Sequence, residues 1–240
     1  MCTVTYVPLK GNDFILTSSR DVPYERESAS PPQKYIEDGI ALWYPKDGKA
    51  GGTWIGTSDK NRLICLLNGG FENHTPRMQY RQSRGLIVKE LLKDNDIYEV
   101  VIKINLEDIE QFTMVIVDWN TSLKAYEFVW NGSRKYFKEL DNQPEIWSSS
   151  TLYDEKVKKL RKNWFKDWQQ EKGLSQESIL SFHHTAGIGD PKIDVVMDRG
   201  KGGTVSITSV KKEKNTISFL YEDLKNITSK TELLQYKCQE

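Results

Sequence analysis

Residues 112–119, Phe-Thr-Met-Val-Ile-Val-Asp-Trp, are apolar on both alternating faces of an extended chain. A strand of that kind has to be covered on both sides, so it belongs to a sandwiched sheet. Paired strands surround it. Residues 3–7 alternate, Lys10-Gly11-Asn12-Asp13 supply turn chemistry, and Phe14-Ile15-Leu16-Thr17 resume an extended apolar run. This hairpin brings Arg20-Asp21, at the end of its second strand, back beside residue 2. Gly51-Gly52-Thr53-Trp54-Ile55-Gly56 opens a second hairpin, which turns at Ser58-Asp59-Lys60-Asn61 into an apolar strand over 62–67 ending in Asn68-Gly69-Gly70. Strand 124–130 returns from 112–119, and Asn131-Gly132 turns it into 133–137. The Pro-, Ser- and charge-rich segment 22–36 and residues 69–82 read as loops.

Helical spacing appears in three places. Ile87 and Leu91, one turn apart, predict a helix over 83–93. Val157, Leu160, Trp164 and Trp168 make one stripe along a helix over 154–172, which Gly173 ends. A shorter helix is expected over 175–183. Two strands, 204–210 and 216–221, close the domain around a charged turn from Lys211 to Asn215, and the charged tail 222–240 is expected to be partly helical. Strands, helix, strands, helices, strands is the order of an α+β sandwich, two antiparallel sheets facing each other with helices outside, formed as a single domain over 1–240.

Composition narrows the partners. Lys+Arg and Asp+Glu balance at 34 each, so no global field argues for nucleic acid or an anionic surface. Hydrophobic residues at 38% and charged residues at 28% suit a packed core with a solvated surface. No apolar run approaches the ~18 residues of a membrane span, and no basic start leads into a hydrophobic stretch; a cytoplasmic protein is the expectation. Cys2, Cys65 and Cys238 are too few and too scattered for a disulfide framework or a metal cluster, and Cys65, inside Leu63-Ile64-Cys65-Leu66-Leu67, reads as a small core hydrophobe.

Cys2 is a different matter. Removal of Met1 leaves a thiol and a free amine on one residue, and these titrate near ~8.5 and ~8 respectively. The pair is a nucleophile with its own general base, the logic of N-terminal nucleophile enzymes. Several other features do not add chemistry. Gly200-Lys201-Gly202-Gly203-Thr204 has the wrong spacing for a phosphate loop and reads as a flexible turn. His183-His184 face two directions on a helix and cannot chelate from one side, so they read as surface or cap residues.

Met-Cys at the start, Arg20-Asp21 at a strand end, the Gly51–Gly56 block, the Leu67-Asn68 end of its partner strand and Arg84-Gly85 at a helix entry follow one another in an order that resembles the NRDE family, also called the transport-and-Golgi-organisation protein 2 family. That family is similar in turn to cysteine N-terminal nucleophile (Ntn) hydrolases, whose fold is a four-layer αββα sandwich. The resemblance implies Cys2 as the nucleophile and its freed amine as the base. It also implies Asp21 holding that amine, Arg20 beside the sulfur favouring thiolate, and Asn68 donating into an oxyanion hole. Trp54, Gly69, Phe71, Tyr80 and Arg84 would line the substrate cleft. Ser19 and Val22 stand where the signature has Asn and Glu, and Ser148-Ser149-Ser150 where the hydrolases carry a second Asn. Two functions follow. One is an amidohydrolase acting on a linear C–N amide bond without cofactor or metal. The alternative is a non-enzymatic carrier of haem, acyl-CoA or lipid that uses the same cleft.

Overall fold

The structure is a computed structural model that describes residues 3–235. The chain divides into two compact units, one built from its two ends, up to Arg26 and from Gln143 onward, the other Glu27–Asn142.

In the unit of the two ends, β1 (Thr3–Pro8), β2 (Phe14–Pro23), β10 (Glu145–Ser148), β11 (Gly202–Glu213), β12 (Thr216–Asp223) and β13 (Thr228–Gln235) form one antiparallel sheet in the order β10-β1-β2-β11-β12-β13. The helices are α3 (Glu155–Lys172) and α4 (Gln176–Thr185). Asp154 caps α3 by accepting from the Val157 amide, and Ser175 caps α4 by accepting from that of Ser178. Val7, Ile15 and Ile146 on the sheet pack with Phe165, Ile179 and Phe182 of the helices. β2 runs to Pro23, so Arg20 and Asp21 lie within the strand rather than at its end.

In the other unit, β3 (Ser30–Glu37), β4 (Ile40–Lys46), β5 (Ile55–Ser58), β6 (Arg62–Asn68), β7 (Phe112–Asp118), β8 (Lys124–Trp130) and β9 (Lys135–Glu139) follow one another as an antiparallel meander. Two helices, α1 (Arg84–Lys93) and α2 (Ile97–Lys103), cover one face. Alternation decides which side chains they meet. Leu42, Ile64, Leu66, Met114, Ile116 and Phe128 face Ile87, Val88, Leu91 and Leu92, whereas Cys65, Val115 and Val117 are buried on the opposite parity. The double-sided burial expected of 112–119 is therefore observed. Gly52 and Gly85 allow the Gly-Gly-Thr-Trp segment to touch the start of α1: a Cβ on Gly52 would stand 2.6 Å from the Gly85 carbonyl carbon, and one on Gly85 would stand 2.7 Å from the Thr53 oxygen.

Three expectations are corrected. The loop expected over 22–36 contains β3, an edge strand in which Pro31 and Pro32 fall at a register shift, where missing amide donors cost no ladder bonds. Over 222–235 the tail is not helical: β12 continues to Asp223, and β13 pairs with it as an exposed edge strand of which only Leu234 is buried; residues 236–240 lie outside the described residues. On α3 the fully buried positions are Arg161 and Phe165, with Trp164 and Trp168 only half-buried, so the apolar stripe flanks the buried line. No helix among the described residues is long and apolar enough to cross a membrane.

Arg62 ties the meander to its helix. Its fully buried guanidinium pairs with Asp118 at 2.9 Å and donates to the carbonyls of Leu91, Asp94 and Asn95 at the open end of α1. Arg62→Met leaves a carboxylate and three carbonyls without their donor, and is expected to cost about 3–5 kcal/mol. A urea midpoint equal to that of the unsubstituted protein contradicts this assignment.

Candidate functional site

The polar centre of the two-ended unit lies on the helix-covered face of its sheet. Thr3, Thr5, Thr17, Ser19 and Ser209 share that face and all are buried. A row of buried hydroxyls needs partners, since an unpaired buried polar group costs roughly 1–3 kcal/mol. Thr17 and Ser209 bond to each other at 2.9 Å. Thr5 and Ser19 bond to opposite nitrogens of His183, at 2.9 and 2.8 Å. Arg161 donates to the Thr3 hydroxyl at 2.6 Å and to the carbonyls of Ile193 and Asp194.

His183 is therefore fully buried, which corrects its reading as a surface or cap residue; only His184 is exposed, and it meets Glu222 at 2.8 Å. Burial, then the charges of His184 and Arg161, press the His183 pKa down to about 3. The ring is neutral, one nitrogen donating and the other accepting. Ser19, which stands where the family signature has Asn, thus serves this interior bridge.

Arg20 and Asp21 follow Ser19, both nearly fully buried. Strand alternation sends them to opposite faces: Asp21 joins Ser19 and Thr17, while Arg20 shares its face with Ser18, Ser206 and Tyr221. The Arg20 charge acts on the Tyr221 phenol, opposing the rise that burial causes in its pKa. Across from the Arg20-Asp21 peptide, β11 is bulged. Arg20 pairs with Ser206 and Asp21 with Thr204, leaving Val205 as the extra residue. The bulge turns the Thr204 hydroxyl onto the Asp21 carboxylate at 2.6 Å. Tyr153, between β10 and α3, donates to the other carboxylate oxygen at 3.3 Å. Its ring in turn lies 3.8 Å from the Arg161 guanidinium.

The remaining expected residues belong to the other unit. Asn68 closes β6, paired with Phe112 and half-buried. Gly69, in a positive-φ turn, donates to the Gln111 carbonyl, and Thr113 donates to the Gly69 carbonyl. Arg84 opens α1 and is held by Glu110 at 3.0 Å and by the Gln111 carbonyl. Trp54 is buried, Phe71 is half exposed against the ring of Tyr136, and the Tyr80 hydroxyl accepts from the Arg77 amide. Tyr80 also lines an open pocket of about 890 Å³ wholly within this unit, whose lining is mostly polar and charged, with Arg77, Asn105, Asp108 and Lys135 among it and Leu106, Ile109 and Trp130 as its apolar part. Lys135 bonds to the Val101 and Ile102 carbonyls at the end of α2, and desolvation lowers its pKa.

Cys2, the expected nucleophile, lies outside the described residues, as does Cys238. Among the described residues no group of three or more His, Cys, Asp or Glu is placed to hold a metal ion.

Residues 1–193 match the family described as Transport and Golgi organisation 2. The chain belongs to that family. Solved structures extend the likeness beyond residue 193. Conjugated bile acid hydrolase from Clostridium perfringens gives a TM-score of 0.58 at 10% identity, over 98% of this chain and 97% of that one. The Caenorhabditis elegans ortholog of N-acylethanolamine-hydrolyzing acid amidase gives 0.58 at 10% identity, over 87% and 92%. At such identities the likeness is one of fold: the Transport and Golgi organisation 2 chain has an Ntn-hydrolase-like α+β fold with two antiparallel sheets. Among curated proteins none matches it.

Tyr153, Thr204, Arg161 and His183 were not legible as site residues. Arg161 did leave a trace, a charged residue between Leu160 and Trp164 in a stripe of apolar positions. The pH dependence of stability checks the His183 bridge. Its pKa is depressed on folding, so between about pH 6.5 and 3 the unfolded chain binds a proton that the folded one refuses, and stability falls as pH drops through that window. The urea midpoint should fall less between pH 6.5 and 4.5 in His183→Gln than in the unsubstituted protein; equal slopes contradict the buried neutral ring.

Proposed function

We propose that the chain is a cysteine amidohydrolase of the N-terminal nucleophile type, acting on a linear C–N amide bond through Cys2. The carrying observation is the buried, doubly hydrogen-bonded Asp21 next to Arg20 on β2. Thr3, to which Cys2 is bonded, pairs with Ser19, the residue before Arg20. Two solved neighbours, described as a bile acid hydrolase and an N-acylethanolamine-hydrolyzing amidase, support the same class of chemistry.

In this reading the α-amine of Cys2 takes the thiol proton and the sulfur attacks the amide carbon. The tetrahedral oxyanion is stabilised by N–H donors beside the sulfur. Collapse breaks the C–N bond, and the leaving amine takes the proton from the α-ammonium. Water, deprotonated by the same amine, then releases the acid from the thioester. Asp21 orients the amine, and the Arg20 cation favours thiolate.

Incubation with a panel of N-acyl amides tests this. The residue-2 peptide should carry the mass of the acyl group, with free amine released, and Cys2→Ala should abolish both. Turnover that survives Cys2→Ala, or a panel that leaves residue 2 unacylated, contradicts the proposal.

The pocket beside Tyr80 and Trp130 supports a second reading, a carrier that holds an acyl-CoA or haem as cargo, the polar lining meeting its charged groups and Trp130 its apolar part. Its size is in the range of small-molecule sites. Quenching of tryptophan fluorescence by palmitoyl-CoA, and a Soret shift with haem, are its readouts; binding should weaken at least tenfold in Trp130→Ala. Affinity no tighter than ~0.1 mM, about −5.5 kcal/mol, for both probes contradicts it.

A further inference from the structure

We propose that Thr204 is a positioning residue for the N-terminal nucleophile, aiming the Asp21 carboxylate at the α-amine of Cys2. This deepens the amidohydrolase reading and rests on it. A threonine hydroxyl has one proton to donate. At Thr204 the hydroxyl oxygen accepts from the Met197 amide at 2.9 Å, which fixes the oxygen, and its proton has two acceptors in reach: Asp21 Oδ1 at 2.6 Å and the Val195 carbonyl at 3.4 Å. Distance assigns the proton to Asp21.

The backbone is shaped to deliver that bond. Segment 195–198 lies against the start of β11 through the Thr204 amide to Met197 carbonyl bond at 2.8 Å and the Asp198–Gly203 bridge. Only a residue without Cβ fits at 203, since a Cβ there would stand 2.3 Å from the Tyr24 hydroxyl and 2.5 Å from the Met197 oxygen. The bulge at Val205 then sets Thr204, rather than Val205, opposite Asp21. Gly202-Gly203-Thr204, read from sequence as part of a flexible turn, is the fixed seat of this contact. Tyr153 is the second holder, at 3.3 Å on the other oxygen, its ring steadied by Arg161.

The bond acts on reactivity through Asp21. With the hydroxyl gone, the carboxylate loses the bond that sets its direction; an ammonium that depends on it would be held less firmly, and a thiolate would lose the help of that cation. The experiment is the pH profile of Cys2 alkylation by iodoacetamide in the Met1-free full chain, read on the residue-2 peptide by mass, with urea midpoints measured in parallel. Wild type should titrate below the ordinary thiol value of ~8.5. Thr204→Val, of nearly equal volume, should move the midpoint upward and slow alkylation at pH 7 by about 3- to 10-fold, and Thr204→Ser, which keeps the hydroxyl, should stay within twofold of wild type. A wild-type midpoint below ~8.5 that Thr204→Val leaves in place, whatever its effect on stability, overturns the positioning role alone. A wild-type midpoint at ~8.5, unmoved by Asp21→Asn, overturns the amidohydrolase reading and this role with it.

Discussion

A carboxylate taken out of water has to be hydrogen-bonded, because leaving it bare costs several kcal/mol. Asp21 is such a group, and much of the two-ended unit is arranged around that requirement. The β11 bulge, the glycine at 203, the tie between segment 195–198 and β11, and Tyr153 stacked on Arg161 all bear on its two oxygens. Each has an ordinary local cause. They converge on one aspartate, one residue from an arginine and two from the partner of Thr3.

The two units solve burial differently. In the Glu27–Asn142 unit the helix-covered face is an apolar cluster running from Leu42 to Trp130, and its one fully buried charge, Arg62, is answered by Asp118 and helix-end carbonyls. In the other unit the corresponding face carries hydroxyls, a neutral His183 and the fully buried Arg161, satisfied by carbonyls, a threonine and an aromatic ring. Polar networks of this kind tolerate little displacement, since a single lost partner strands another buried group.

Hairpins were legible where turn chemistry and alternation agreed, as at Lys10 to Asp13, Ser58 to Asn61 and Asn131-Gly132. Edge strands were not. β3 carries two prolines and β13 mostly exposed polar residues, and at a sheet edge both are tolerated because one side of the strand needs no partner. Arg20, Asp21 and Asn68 could be named from the order of motifs, but their supports could not. Thr204 meets Asp21 only through a bulge, and His183 meets Ser19 across 164 residues of chain. Register and bulge position are set by long-range pairing, which no local pattern carries.

The account turns on whether residue 2 has a free amine for Asp21 to hold. Intact-mass measurement of the protein purified from its native host is the direct test. A mass lower by one methionine residue is the predicted result. A protein that retains Met1 has its amine on the wrong residue and contradicts the account.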